Sequence, residues 1–186
     1  MPFMMRKEVF KINRSKWKYI PNILTVIRLL MIPLMAYLMI KEKWTAALAV
    51  FVLAELTDIL DGYIARKFQV ISDFGKLADP LADKLLQLTA LLLLSTGGRL
   101  PVYFFYILCA KELAMIIGSL FFLKKDVVVY SNWVGKAAAA ILFSGIVLSF
   151  LNIAFSVYTL WAGIAVSLSA AVIYLLKFLK QVSRTE

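Results

Sequence analysis

Histidine is absent from all 186 residues, and cysteine occurs once, at Cys109. These two absences remove a large block of chemistry. No intrachain disulfide can form, and no Cys/His metal site can be assembled. Cys109 lies inside a hydrophobic run, where a small thiol packs as an inert apolar group. Proton transfer is left to Asp, Glu, Lys, Tyr or water, and a metal would have to be held by oxygen. Acidic residues are also scarce, 11 against 21 Lys and Arg, for a formal net charge of +10. No internal repeat is visible, which disfavours a transporter built from duplicated halves. The first twenty residues are basic and lack a short apolar run ending in a small-residue cleavage site, so no signal peptide is expected.

What is abundant is apolar surface. Hydrophobic residues make up 62% of the chain and mean hydropathy is +0.85, too high for an ordinary soluble domain. Apolar runs recur along its length, and the fold expected is an all-α integral membrane protein, a six-transmembrane helix bundle. The spans are expected at 22–40, 44–66, 75–95, 101–123, 134–151 and 155–177, with short loops and no second domain. Residues 1–20 alternate Arg6, Lys7, Lys11, Arg14, Lys16 and Lys18 with Met4, Met5, Val9, Phe10, Ile12 and Trp17. That pattern predicts an amphipathic interfacial helix on an anionic leaflet. The basic excess then belongs to membrane flanks and headgroups, and no soluble basic module exists to bind nucleic acid. Arg66, Lys67, Lys124, Lys125, Lys136, Lys177, Lys180 and Arg184 fall on the same side as the basic N-terminus; Lys41, Lys43 and Arg99 fall on the other. The positive-inside rule therefore puts both termini in the cytoplasm.

Against this background, six of the eleven carboxylates lie between Glu55 and Asp83. Acid inside a membrane segment is costly and marks a site. Asp58 and Asp61 are spaced i, i+3, and Asp79 and Asp83 i, i+4, so each pair shares a helix face. Spans two and three form a hairpin about the 67–74 loop. Asp61 and Asp79 flank that loop at similar depth, as do Asp58 and Asp83 farther in, all four in the cytoplasmic half. Four carboxylates on facing helices call for neutralising cations. Hard oxygen ligands suit Mg²⁺ or Mn²⁺, and four can hold two ions about 3.5–4 Å apart, as in two-metal phosphoryl chemistry. Gly62, Ala65, Gly75, Ala78 and Ala82 permit close helix approach or leave room for a ligand. Arg66, one turn past Gly62, is placed to grip a phosphate bidentately.

The stretch Asp58-x2-Asp61-Gly62-x2-Ala65-Arg66-x8-Gly75-x3-Asp79-x3-Asp83 resembles the signature of the CDP-alcohol phosphotransferase family, with every motif position present. Pro21-Asn22-Ile-Leu-Thr25-Val-Ile-Arg28, with Pro33 later, is similar to the first span of its bacterial phosphatidylglycerophosphate synthase branch. The likeness extends over about 20–180. It implies a transferase that passes the phosphatidyl group of CDP-diacylglycerol to an acceptor hydroxyl and releases CMP. It also implies two divalent cations, Mg²⁺ or Mn²⁺, on Asp58, Asp61, Asp79 and Asp83. Asp83 would act as general base, Gly62 and Arg66 would contact the CDP moiety, and Asn22, Thr25 and Ser72 are further candidates for that pocket. A homodimer in the cell membrane is implied as well.

The expected acceptor is glycerol 3-phosphate, whose monoester needs cations. Lys111 and Lys136 are the candidates, with Arg28, Lys124 and Lys125 behind them. The chain carries Lys111-Glu112, Gly118-Ser119 and Gly135-Lys136-Ala137-Ala138-Ala139 where that branch shows Arg-Glu, a further Arg and Gly-Lys-x-Lys-Thr. Two cations fewer suit an acceptor without a monoester, so phosphatidylglycerol, as in cardiolipin synthesis, is the rival. Lys111 could instead pair with Glu112, and Lys136 could be a flanking charge. From another class, a cation or proton transporter would use the acids as a relay, and a non-catalytic relative would bind anionic lipid.

Overall fold

The computed structural model describes residues 20–68, 73–123 and 133–182; side chains at 20, 21, 65, 66, 68, 73–77, 118–123 and 174–182 are outside the description. The expected amphipathic segment, Ser72 and the Lys124–Lys125 pair lie outside the described residues. Six helices follow in order: α1 Ile20–Ile40, α2 Trp44–Phe68, α3 Asp73–Thr96, α4 Tyr103–Leu123, α5 Trp133–Phe150 and α6 Ser156–Val182. Each falls within a few residues of an expected span. The described residues contain no strand. Asn22–Ile40, Trp133–Phe150 and Ser156–Ile173 are long and apolar enough to cross a membrane. The charges of α2 and α3, the very residues of the acidic motif, interrupt their apolar runs.

Three helix ends share one stopping device. Glu42 (φ 57°), Gly98 (φ 70°) and Asn152 (φ 55°) sit in the left-handed region just past α1, α3 and α5. The following residue's N–H then bonds back five positions: Lys43 to Leu38, Arg99 to Leu94 and Ile153 to Leu148, at 2.9, 2.9 and 3.0 Å. This geometry satisfies terminal carbonyls that a membrane interior would punish. Glycine fills only one of the three positions, so Glu42 and Asn152 bear some left-handed strain.

The chain divides into two compact units, Met1–Ala90 and Leu91–Glu186. In the first, α1 and α2 form an antiparallel pair. The inward stripe of α2 runs Ala47, Phe51, Ala54, Asp58, Asp61 in alternating steps of four and three. That of α1 runs Thr25, Arg28, Ile32, Met35, Met39 in the same rhythm. Each stripe is apolar near the α1–α2 turn and polar at its far end, so antiparallel pairing sets oil against oil and Arg28 against the aspartates. In α3, Ala78, Ala82, Leu86 and Ala90 form a buried row, with Asp79 and Asp83 one position along.

In the second unit α5 packs on α6 through reciprocal glycine contacts. A Cβ on Gly145 would meet Leu160 Cγ at 2.8 Å, and one on Gly163 would meet Leu142 Cγ at 2.9 Å. Two leucine knobs thus fill two glycine holes, the close approach on which membrane helices rely. Arg99 closes the end of α5, its Nη1 donating to the Phe150 carbonyl at 2.5 Å.

Candidate active site

The site lies in the first unit and is built from three helices. Arg28 of α1 is its centre: the side chain is 0% exposed and touches two acids of α2. Its Nη1 lies 2.8 Å from Asp58 Oδ1, and its Nη2 donates to Asp61 Oδ2. Asp61 is almost as deeply buried, at 3%, whereas Asp58 is 40% exposed. Nη1 reaches Asp58 off the hydrogen-bonding direction, and Nε has no hydrogen-bond partner among the described residues. A buried guanidinium is held by charge and by burial together, and losing either partner would leave an uncompensated ion.

The other two aspartates engage different groups. Thr25 Oγ1, one turn before Arg28, donates to Asp79 Oδ1. Gln87 Nε2, one turn beyond Asp83, donates to Asp83 Oδ1 at 3.2 Å. Lys84 Nζ lies 3.5 Å from Asp83 Oδ2. Asp58 and Asp79 lie within electrostatic reach of Asp61, and Asp58 and Asp83 within reach of Glu55.

The side chains offer oxygen donors, four carboxylates with the Thr25 hydroxyl beside them, a set that suits Mg²⁺ or Mn²⁺ better than a softer ion. Among the described residues no three acids gather in a metal-holding arrangement; Arg28 supplies the local positive charge to Asp58 and Asp61.

Of the remaining expected residues, Gly62 follows Asp61 on α2 and is partly exposed, and Asn22 is partly buried at the start of α1. Arg66 belongs to α2, but its side chain lies outside the described residues. Lys111, in the second unit, is bound to its neighbour: Nζ lies 2.6 Å from Glu112 Oε1. Lys136 Nζ lies 5.2 Å from the centre of the Trp133 ring, an interfacial cation–π contact.

Three residues gain a part that spacing alone had not given them. Arg28 is a counter-ion of Asp58 and Asp61. Glu55 precedes Asp58 by three residues and Gln87 follows Asp83 by four, and those intervals are the signal that puts both on the acidic face.

The sequence pattern that defines CDP-alcohol phosphatidyltransferase matches residues 18–169. The chain belongs to that family. It is 34% identical over 108 residues to the CDP-diacylglycerol--glycerol-3-phosphate 3-phosphatidyltransferase of Aquifex aeolicus (strain VF5), covering 57% of this chain and 61% of that protein. A Bacillus subtilis (strain 168) protein of the same name is 29% identical over 168 residues, covering 78% and 87%. The human cardiolipin synthase (CMP-forming) is 39% identical over 106 residues, covering 56% of this chain and 35% of that protein. The matched segment therefore spans about three fifths of the Aquifex relative and about a third of the human one. The acids of α2 and α3 fall inside the matched residues, and membership of this family makes the apolar helices those of a membrane protein.

Proposed function

We propose that the chain is an integral-membrane transferase that moves the phosphatidyl group of CDP-diacylglycerol to an acceptor hydroxyl and releases CMP. One observation carries this: the complete aspartate motif lies inside the family match, with Arg28 on Asp58 and Asp61 and Thr25 on Asp79. The acceptor oxygen attacks the phosphorus bearing the lipid, and the bond from that phosphorus to the CMP oxygen breaks. Asp83 takes the hydroxyl proton, a task for a positioned carboxylate. Asp58, Asp61, Asp79 and Asp83 would hold two divalent cations, Mg²⁺ or Mn²⁺. When bound, such ions supply positive charge against the diphosphate and the leaving CMP. Arg28 competes for the same carboxylate oxygens and keeps Asp58 and Asp61 neutralised without them. Asn22, Thr25, Gly62, Arg66 and Ser72 would bind the CDP moiety.

Glycerol 3-phosphate is the acceptor we infer first, supported by the names of the Aquifex and Bacillus relatives. Phosphatidylglycerol is the second reading, favoured by the commitment of Lys111 to Glu112 and by the human relative. Lys136 would then be the main cation left for a monoester. The six helices would all cross the membrane, with both termini and the site on the cytoplasmic side, and the chain would pair as a homodimer.

The test is CMP release. Purified protein with CDP-diacylglycerol and Mg²⁺ or Mn²⁺ is offered glycerol 3-phosphate or phosphatidylglycerol separately. Turnover with glycerol 3-phosphate is expected, and Asp83→Asn should lower it by roughly 10²–10⁴-fold with helicity intact. Turnover with phosphatidylglycerol alone would replace the first acceptor by the second. Ion flux without liponucleotide would reject the transferase.

A further inference from the structure

Halfway along the 24 residues of α3 stands a cation that the motif does not include, Lys84. Most of the helix beyond it is apolar, and a charge so far from either end is costly and points to a function. Its Nζ lies 3.5 Å from Asp83 Oδ2. Successive helical residues point about 100° apart, so the Lys84 stem curls toward the row of Asp79, Asp83 and Gln87 and away from exposed Leu81 and Leu85. The pair is long beside the 2.8 Å of Arg28 to Asp58, and the Lys84 side chain is 35% exposed, within reach of a solute. Asp83 Oδ1 accepts from Gln87 Nε2 at 3.2 Å. Both oxygens of Asp83 are therefore engaged, Oδ1 by a neutral amide and Oδ2 by a mobile cation at long range. An ammonium on a flexible stem changes partners readily when a stronger anion arrives. A phosphate monoester is such an anion, with a charge of about −1.5 to −2 at pH 7. A phosphodiester, singly charged like the carboxylate, is not.

We propose that Lys84 binds the phosphate monoester of the acceptor, moving from Asp83 Oδ2 to that phosphate and leaving Oδ2 to take the acceptor's hydroxyl proton. This rests on the transferase reading given above, with glycerol 3-phosphate as acceptor. One exchange of partners then does two things: it holds the acceptor and it uncovers the base. It also makes up for Lys111, which Glu112 holds. If Lys84 did no more than neutralise Asp83, its loss would change kcat or stability and leave acceptor affinity alone.

The experiment compares Lys84→Met, Lys84→Gln and Lys84→Arg with the full wild-type chain in detergent, with CDP-diacylglycerol and Mg²⁺. CMP release is followed against each substrate. Lys84→Met should raise KM for glycerol 3-phosphate by about 10–100-fold, the worth of a charge-assisted hydrogen bond. Its kcat at saturating acceptor and its KM for CDP-diacylglycerol should stay at wild-type values, the mark of lost binding rather than lost chemistry. Lys84→Gln, polar and shorter, should show the same split and serves if the Met variant does not fold. Lys84→Arg keeps the charge and should keep most of the affinity. Inorganic phosphate should compete with glycerol 3-phosphate in the wild type, and much more of it should be needed against either neutral variant. An unchanged KM for glycerol 3-phosphate, a loss confined to kcat, an equal rise in KM for CDP-diacylglycerol, or an Arg variant as impaired as the neutral ones would overturn the proposal while leaving the transferase standing. So would a wild-type chain that used phosphatidylglycerol alone. A wild-type chain that released no CMP with any acceptor would overturn both.

Discussion

Arg28 has the most at stake of any single side chain here. It is fully enclosed, and the two acids it neutralises are one turn apart on α2. Arg28→Met removes the charge but keeps much of the volume, leaving Asp61 buried without its partner. Breaking a buried pair in this way costs about 3–5 kcal/mol; since Asp58 is partly exposed, the lower end of that range is expected. The thermal midpoint in detergent should fall sharply, and Arg28→Met combined with Asp61→Asn should recover most of the loss, because both charges are then gone. If Asp58 and Asp61 bind divalent ions, Mn²⁺ should raise the midpoint of Arg28→Met more than that of the wild type. A single variant as stable as the wild type without metal would show that the ion pair is not what holds α1 to α2. The short-range pattern pointed to Asp58, Asp61, Asp79 and Asp83 because acids at helical spacing within an apolar segment are too costly to carry without a role. It could not assign Arg28, which lies 33 residues from Asp61; that pairing depends on how α1 and α2 are rotated about their axes.

At the scale of helices, the same rhythm of fours and threes serves two purposes. In α2 it carries Ala47, Phe51 and Ala54 and then, without changing step, Asp58 and Asp61. Packing and chemistry thus share one face, and whatever aligns the apolar half aligns the acids. The α5–α6 pair shows the purely structural version. Gly145→Ala would bring a Cβ to 2.8 Å from Leu160 Cγ and 3.2 Å from its backbone nitrogen. Overpacking of this kind costs roughly 1–3 kcal/mol, read as a lower midpoint in detergent. Leu160→Ala in the same chain should relieve only part of it, because the backbone contact persists. Full relief would mean that α5 and α6 can separate freely. The helix limits were legible in advance because hydrophobic runs and their breaks are local. The caps at Glu42 and Asn152 were less so, since neither is glycine and nothing local requires a left-handed residue there.

For the molecule as a whole, the excess of positive charge on one set of loops is the property with the widest reach. It would order the helices with respect to the membrane and keep the mouth of the aspartate site on the side that holds CMP and water-soluble acceptors. A C-terminal alkaline phosphatase fusion should therefore be inactive in a bacterial host, and a C-terminal green fluorescent protein fusion bright. The opposite pair of results would turn the site outward and remove glycerol 3-phosphate as a reachable acceptor. Acceptor choice is where two sources of information pull apart: relatives bearing synthase names of both kinds align with this chain, and one of its two candidate cations is spent on Glu112.

Sequence alone determined the helical segments, their apolar character, the aspartate motif and the family, because each is written in residue type and interval along one chain. The tertiary structure alone decided that Arg28 meets Asp58 and Asp61, that Thr25 meets Asp79, that Gln87 donates to Asp83, and that Lys111 turns to its neighbour. Helical periodicity fixes which side chains share a face. It does not fix which face of another helix they will meet; that follows from packing, through the joint burial of stripes and the need of every enclosed charge for a partner.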